Sequence, residues 1–450
     1  MKTRSLSLTC RLAFACGSIL ALTAAAPEEF DVKTQIGANP VLPEPHQYLV
    51  PRMHLAKIVG WKSGETPTAP VGMKVTAIAT GLEHPRSLFT LPNGDVLVIE
   101  SRSPGLDPDS RPKNIIMNYI ESVVTSAGLS HGSNRITLLR DTHGDGNYDF
   151  HSVFIDHLYS PFGVALVGDN LYVANTDAVL HFHYTPGATA ITEPGTVLTP
   201  LPGGPIDHHW TKSLVASEDG TKLYAGVGSN SNITENGIGA ELERASIWEI
   251  DRATGAHRIF ASGLRNPNGL TWEPQSHALW AVINERDELG PNLVPDYLTS
   301  VKDGAFYGWP YSYYGQHVDI RVQPPRPDLV AKAIPPDYAL SSHVAPLGLV
   351  FDTGTGLPEK YNGGAFVGEH GSWNRQVMSG YKVVFVPFAN GKPSGMAEDF
   401  LTGFLDSDGH ARGRPVGLAL TKSGALLIAD DVGNTVWRVS ADNQKQALAK

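Results

Sequence analysis

The sequence predicts an all-β fold, a six-bladed β-propeller of four-stranded antiparallel blades, and three observations carry that prediction. The 450 residues include 46 glycines and 33 prolines, which suit a turn-rich chain and break helices. A strand signature recurs six times along the chain. Each copy is followed by another short strand pair with a glycine-containing turn, such as "SIWEIDRATGAHRIFA" or "VVFVPFANGKP", so that every unit supplies two hairpins and hence four strands. A single sandwich with a second domain leaves six copies unexplained.

The amino terminus comes first. "MKTRSLSLTCRLAFACGSILALTAAAPEEF" carries Lys2, Arg4 and Arg11, an apolar run to Ala21, and three small residues before Pro27. That is the order of a secretory signal covering 1–26, cleaved after Ala26. Both cysteines, Cys10 and Cys16, lie inside it. The mature chain is therefore free of disulfides and thiol chemistry, and the expected location is periplasmic or secreted. Residues 27–70, rich in proline, are expected to wrap the outside as an extended segment, with 71–450 forming the propeller.

The signature joins a proline or glycine, an apolar strand, a polar turn and a second apolar strand. Its copies are "HPRSLFTLPNGDVLVIES" from His84, "SPFGVALVGDNLYVANT" from Ser160 and "TKSLVASEDGTKLYAGVG" from Thr211. The others are "NPNGLTWEPQSHALWAVIN" from Asn266, "APLGLVFDTGTGLPEKYNGGAFVGEH" from Ala345 and "RPVGLALTKSGALLIADD" from Arg414. The last strand, "NTVWRVS" at 434–440, lacks a following hairpin, and "KVTAIATGL" at 74–82 precedes the first copy. The latter is expected to complete the last blade and remove the open edge.

In such a ring the innermost strands line a channel, and the loops leading into them gather at one end. Those loops carry Glu83, His84 and Arg86; Asp207, His208 and His209; Arg265 and Asn266; His343; and Arg412 with Arg414. The loop after the fifth copy adds His370, Trp373 and Arg375. Arginine and histidine dominate in a chain of net charge −10. An acidic protein with no basic excess excludes a nucleic-acid backbone as partner. Arginines converging on one mouth instead suit a small molecule bearing several carboxylates, which the guanidinium fork matches with paired hydrogen bonds. A neutral imidazole from His209 or His208 can take a proton from a hydroxyl, with Asp207 placed to orient a ring.

Two loops have the oxygen chemistry of a calcium site. "DTHGDGNYD" at 141–149 spaces Asp141, Asp145, Asn147 and Asp149 alternately, and reads equally as a simple turn. "NERDELGPNLVPDY" at 284–297 presents Glu285, Asp287 and Glu288 before a Gly290-Pro291 turn.

Taken together, "GLRNPNGL", "NERDELGPNLVPDYL", "GAFYGWPYSYYG", "HVAPLGL", "GAFVGEHGSWNR" with "SGYKVVFVPF", and "RGRPVGLAL" resemble the soluble pyrroloquinoline-quinone (PQQ)-dependent sugar dehydrogenases, most closely their sorbosone dehydrogenase-like branch. The ordered set spans roughly residues 75–440. The resemblance implies PQQ across the channel, calcium on its quinone edge, and hydride transfer from a sugar carbon while a histidine takes the hydroxyl proton. It places that histidine on His209 with His208 as alternative, the quinone-contacting pair on Arg265 and Asn266, and the carboxylate-binding arginines on Arg412 and Arg414. Arg86, His343, His370 and Arg375 complete the implied cofactor contacts, and Asp287, Glu288, Gly290 and Pro291 the implied metal site.

The sequence departs from glucose-oxidising members at His343, where they have threonine, and at "EHGSWNR", where His370 or Arg375 stands for a lysine; these changes bear on sugar specificity. The expected function is oxidation of an aldose or a sugar aldehyde such as sorbosone, with electrons passed to an external acceptor and no membrane span. The alternatives are a calcium-dependent sugar lactonase and a non-catalytic ligand-binding propeller.

Overall fold

The pentapeptide "VLVIE", Val96–Glu100, shows why this chain folds as blades. Successive side chains of a strand point to opposite faces. Val96 and Val98 pack with Leu427 and Ala429, whereas Leu97 and Ile99 pack with Val164 and Val173. A strand apolar on both faces needs a neighbouring sheet on each side, which a ring of sheets supplies throughout.

The computed structural model describes residues 30–48, 53–104, 133–204, 206–354 and 356–442. The expected signal segment, 1–26, lies outside them. Val32–Lys450 form one unit, and the other, Met1–Asp31, falls almost wholly outside the described residues.

The strands assemble into six blades. Blade I is Pro85–Thr90, Val96–Glu100, Arg135–Arg140 and Phe150–Ile155; blade II is Gly163–Val167, Asn170–Ala174, Ala178–His183 and Thr196–Pro200. Blade III is Leu214–Ala216, Lys222–Val227, Ser246–Asp251 and His257–Ser262; blade IV is Pro267–Trp272, Leu279–Ile283, Pro295–Ser300 and Tyr338–Ser342. Blade V is Pro346–Phe351, Ala365–Glu369, Lys382–Val386 and Glu398–Leu401; blade VI is Pro415–Leu420, Leu426–Asp430 and Thr435–Ala441, completed by Met73–Thr80. That last strand pairs antiparallel with Thr435–Ala441, from Met73 opposite Ala441 to Thr80 opposite Thr435. The expected closure by the strand before the first copy is thus observed.

Six apolar clusters fill the interfaces between successive blades, for example Tyr172 with Trp248 between II and III, and Phe366 with Trp437 between V and VI. The recurrent glycine of the signature has a steric cause. A Cβ on Gly348 would stand 2.1 Å from the carbonyl of Val416, and one on Gly417 would stand 2.6 Å from the Cα of Ser87. Inner strands of neighbouring blades approach too closely there for a side chain. Together these inner strands enclose a cavity of about 400 Å³.

The amino-terminal segment does not merely pack outside the blades. Ile36–Gly37 adds a fifth strand to blade IV, and the chain then crosses to blades V and VI. On the way His46 N bonds Leu289 O, His54 N bonds Trp373 O, and Trp61 Nε1 donates to Asp430 Oδ2 at 2.7 Å.

Candidate active site

First and second strands of each blade run antiparallel, so the loops before first strands and those after second strands lie at one end of the ring. Two charged networks form there.

The first surrounds Asp431, which directly follows the second strand of blade VI. Its carboxylate pairs with Arg86, lies 2.9 Å from His370 Nε2 and 3.4 Å from His84 Nε2. Burial pushes such a carboxyl up, but His370 and Arg86 overcome it and hold Asp431 far below the usual range. Burial, together with Arg414, takes His370 down to about 4 against the pull of Asp431. Arg414 donates to the carbonyls of His370 and Gly371 and to Tyr381 Oη, each at 3.0 Å.

The second network surrounds Asp287. Arg265 NH2 reaches its Oδ2 at 3.2 Å, while Asn374 Nδ2 donates to Oδ1 at 2.6 Å and His343 Nδ1 lies 3.4 Å away. Burial raises the Asp287 carboxyl, yet His343 and Arg265 bring it to about 2. Behind it Glu285 and Asp296 are pushed by burial up to about 8 and about 6. Arg375 is buried and donates to Asn292 Oδ1 at 2.8 Å, and Asn292 O accepts from Gln35.

His209 joins the second network. A Cβ on Gly228 would stand 2.5 Å from both Asn266 Oδ1 and His209 Cβ, so Gly228 is what lets these two side chains lie together. Nδ1 of His209 sits 2.9 Å from Ser229 O. A carbonyl only accepts, so Nδ1 carries the hydrogen and Nε2 keeps its lone pair. Burial and then Arg265 hold this imidazole well below its ordinary pKa, hence neutral. The expectation that Asp207 orients the ring is corrected: Asp207 pairs with Arg244 at 3.4 Å, and Ser229 does the orienting. His208 meets His209 edge to face at 4.7 Å.

The contacts of Arg412 lie elsewhere, 3.7 Å from Glu65 of the amino-terminal segment and 3.5 Å from Gly403 O. Ser229, Asn232 and Asp431 went unrecognised in the sequence. They sit in loops leaving second strands; Ser229 and Asn232 lie beyond the recurrent motif, and Asp431 closes its sixth copy as a second acid at a strand end.

Asp287, Glu288, Gly290 and Pro291 line one small cavity together with Asn374 and His46. Its oxygens do not form an open calcium cage. The Asp287 carbonyl accepts from Arg286 at 2.7 and 3.0 Å, Gly290 O meets His343 Nε2 at 3.0 Å, and the Asp287 carboxylate already faces Arg265 and His343. A hard dication needs oxygens free of cations. In the loop 141–149, the Asp141 carboxylate accepts backbone N–H groups of residues 143 to 146, which describes a turn.

A polyanionic quinone such as PQQ fits the donor set better. Arg86 Nε, a donor for a carboxylate, and Asn266 Oδ1, an acceptor for a hydroxyl, are buried with no partner among the described residues. Such polar atoms ask for a ligand.

The glucose/sorbosone dehydrogenase family profile matches residues 168–378, and a TrAA12-like profile matches 329–442. A Borreliella burgdorferi protein described as uncharacterised is 32% identical over 241 residues, covering 53% of this chain and 62% of its own length. A pyrroloquinoline quinone-dependent pyranose dehydrogenase of Coprinopsis cinerea is 24% identical over 426 residues, covering 81% and 53%. The chain thus spans 53% to 62% of the length of these curated relatives. The holo form of the PQQ domain of the Coprinopsis cinerea pyranose dehydrogenase superposes with a TM-score of 0.66 at 20% identity, over 86% of this chain and all of that one. This last likeness establishes the fold.

Proposed function

Since residues 168–378 belong to the glucose/sorbosone dehydrogenase family, we propose that this chain is a PQQ-dependent sugar dehydrogenase, oxidising an aldose or a sugar aldehyde such as sorbosone. The observation that carries the reading is His209: half-buried, neutral, fixed through Nδ1, and next to Asn266 and Arg265.

When bound, PQQ supplies the two-electron acceptor that no amino-acid side chain provides. The chain's own residues do the rest. Nε2 of His209 accepts the proton of the substrate hydroxyl, because burial and the nearby guanidinium keep it unprotonated. Asn266 offers its amide to the ligand beside that nitrogen. The pocket cations Arg86 and Arg414, with the neutral His370 beside them, favour the carboxylates of the cofactor. The Asp287 carboxylate, part of the calcium site that the resemblance implies, faces Arg265 and His343, so no step is routed through a metal. A lactonase would need carboxylates free to hold a metal-bound water, whereas Asp287 and Asp431 are each clamped by arginine and histidine. Electrons leave to an external acceptor. Among the described residues no helix is long and apolar enough to cross a membrane. Export through the amino-terminal segment belongs to the same proposal and is tested by the amino-terminal sequence of the mature protein.

The decisive experiment adds PQQ to the purified chain, with and without calcium, and follows cofactor absorbance and dye reduction by aldoses and sugar aldehydes. Uptake with sugar-dependent reduction supports the reading. Neither uptake nor reduction in wild type sinks it.

A further inference from the structure

Arginine has five N–H donors, and in Arg265 all five are taken. Nε donates to Asn232 O at 3.3 Å, and NH1 to Asn284 O at 3.2 Å and Glu285 O at 2.7 Å. NH2 donates to Asn232 Oδ1 at 3.1 Å and Asp287 Oδ2 at 3.2 Å. The side chain is 3% exposed. A direct hydrogen bond from this guanidinium to a ligand therefore has to break one of five bonds inside a dry site, where an orphaned acceptor is costly.

Asn232 supplies two of those acceptors. Its Oδ1 also takes the Asp287 N–H at 2.8 Å, its Nδ2 reaches Asp287 O at 3.2 Å, and its carbonyl accepts from Trp309 Nε1 at 3.0 Å. A single side chain in the loop that follows the second strand of blade III thus ties together both loops of blade IV that border the site. We propose that Asn232 is a positioning residue that, with Asp287, saturates Arg265, so that Arg265 faces the ligand and His209 as a fixed charge and not as a hydrogen-bond donor. The Asn266 amide then meets the ligand directly, its buried Oδ1, an acceptor, having no partner among the described residues.

The proposal deepens the dehydrogenase reading and rests on it for the identity of the ligand, but the effect on His209 belongs to the unloaded protein. The charged and titratable groups facing His209 are Arg265, His208 and Arg244, with Lys212 Nζ at its carbonyl and the Ser229 hydroxyl at Nδ1. Of these, Arg265 acts most strongly on the ring.

The test is a titration of the His209 Cε1 signal by NMR in full-length protein without cofactor, assigned with His209→Asn. Arg265→Gln is expected to raise the midpoint by about one unit. Asn232→Ala should raise it by part of that, because the freed guanidinium can shift away from the ring. Trp309→Phe, which removes the second donor to Asn232 O but leaves every acceptor of Arg265 present, should leave it in place. A folded Asn232→Ala protein with the wild-type midpoint overturns the proposal, as does a PQQ complex in which an Arg265 N–H donates to the cofactor. Absence of PQQ uptake by wild type, with the three midpoints as expected, would instead remove the dehydrogenase reading and leave this inference standing.

Discussion

The Nδ1 atom of His209 lies 2.9 Å from the carbonyl oxygen of Ser229, and 3.0 Å from the hydroxyl of the same residue. That hydroxyl donates onward to Ser231 O at 2.6 Å, so it too can only accept from the ring. Two acceptors at one nitrogen fix the tautomer. In the PQQ-loaded protein His209→Ala is therefore expected to lower dye reduction by about a hundredfold or more while cofactor uptake persists, the range found for removing a general base. A turnover unchanged by the substitution would remove His209 from the proton transfer.

Asp431 is the shared partner of Arg86, His84 and His370. Taking one partner out of a buried ion network leaves the others desolvated and uncompensated. Asp431→Ala is expected to cost about 3 kcal/mol or more of stability, measured by urea denaturation with its slope unchanged. A loss below about 1 kcal/mol would mean that solvent or a rearranged side chain already screens the Arg86 guanidinium.

These two networks show how far the sequence carries the site. Arg86, Arg265 and Asn266 stand beside or within the recurrent signature, whose glycines and prolines answer to inner-strand packing, and a repeat read by eye finds them. His370 was legible because the motif around it is distinctive. Asp431 was not, although it closes the sixth copy, because a second acidic residue at a strand end reads as turn chemistry. Asn232 lies in an irregular loop of asparagine and serine, and only its contacts with Arg265 distinguish it from its neighbours. Arg412 shows the reverse: a cation in the same kind of motif, whose ion pair with Glu65 reaches a segment hundreds of residues away that the motif does not announce. The sixth blade was readable across the same separation because strand pairing leaves a long apolar pattern, whereas one ion pair leaves none.

His370 gives a pH dependence with a definite sign. Its ordinary value of 6.5 falls to about 4 in the folded chain. Between those values the unfolded chain binds a proton that the folded chain does not, so this residue's contribution to stability is lost as the pH falls through that window. Buried Glu285 and Glu369, both raised to about 8, act with the opposite sign, so wild type alone does not isolate the effect. The difference between wild type and His370→Asn does. Wild type should lose stability relative to the variant by up to about 1.4 kcal/mol per pH unit from 6.5 down to 4, followed by denaturant midpoints. A gap independent of pH would mean that His370 is protonated in the folded state.

Lys212 lies fully buried directly beneath the His209 loop, its ammonium bonded among the described residues to the carbonyls of His209 at 3.4 Å and Trp210 at 3.1 Å. Burial and the nearby Arg244 lower it from 10.5 to about 7. Above pH 7 the folded chain therefore sheds a proton that the unfolded chain keeps up to 10.5, and wild type gains stability as the pH rises through that range. Lys212→Met removes the titration and retains most of the volume. Its melting temperature relative to wild type should be highest at pH 6 and fall steadily between pH 7 and 10. A difference that stays constant across that interval would show that the ammonium remains charged in the folded protein, held by a partner other than the two carbonyls.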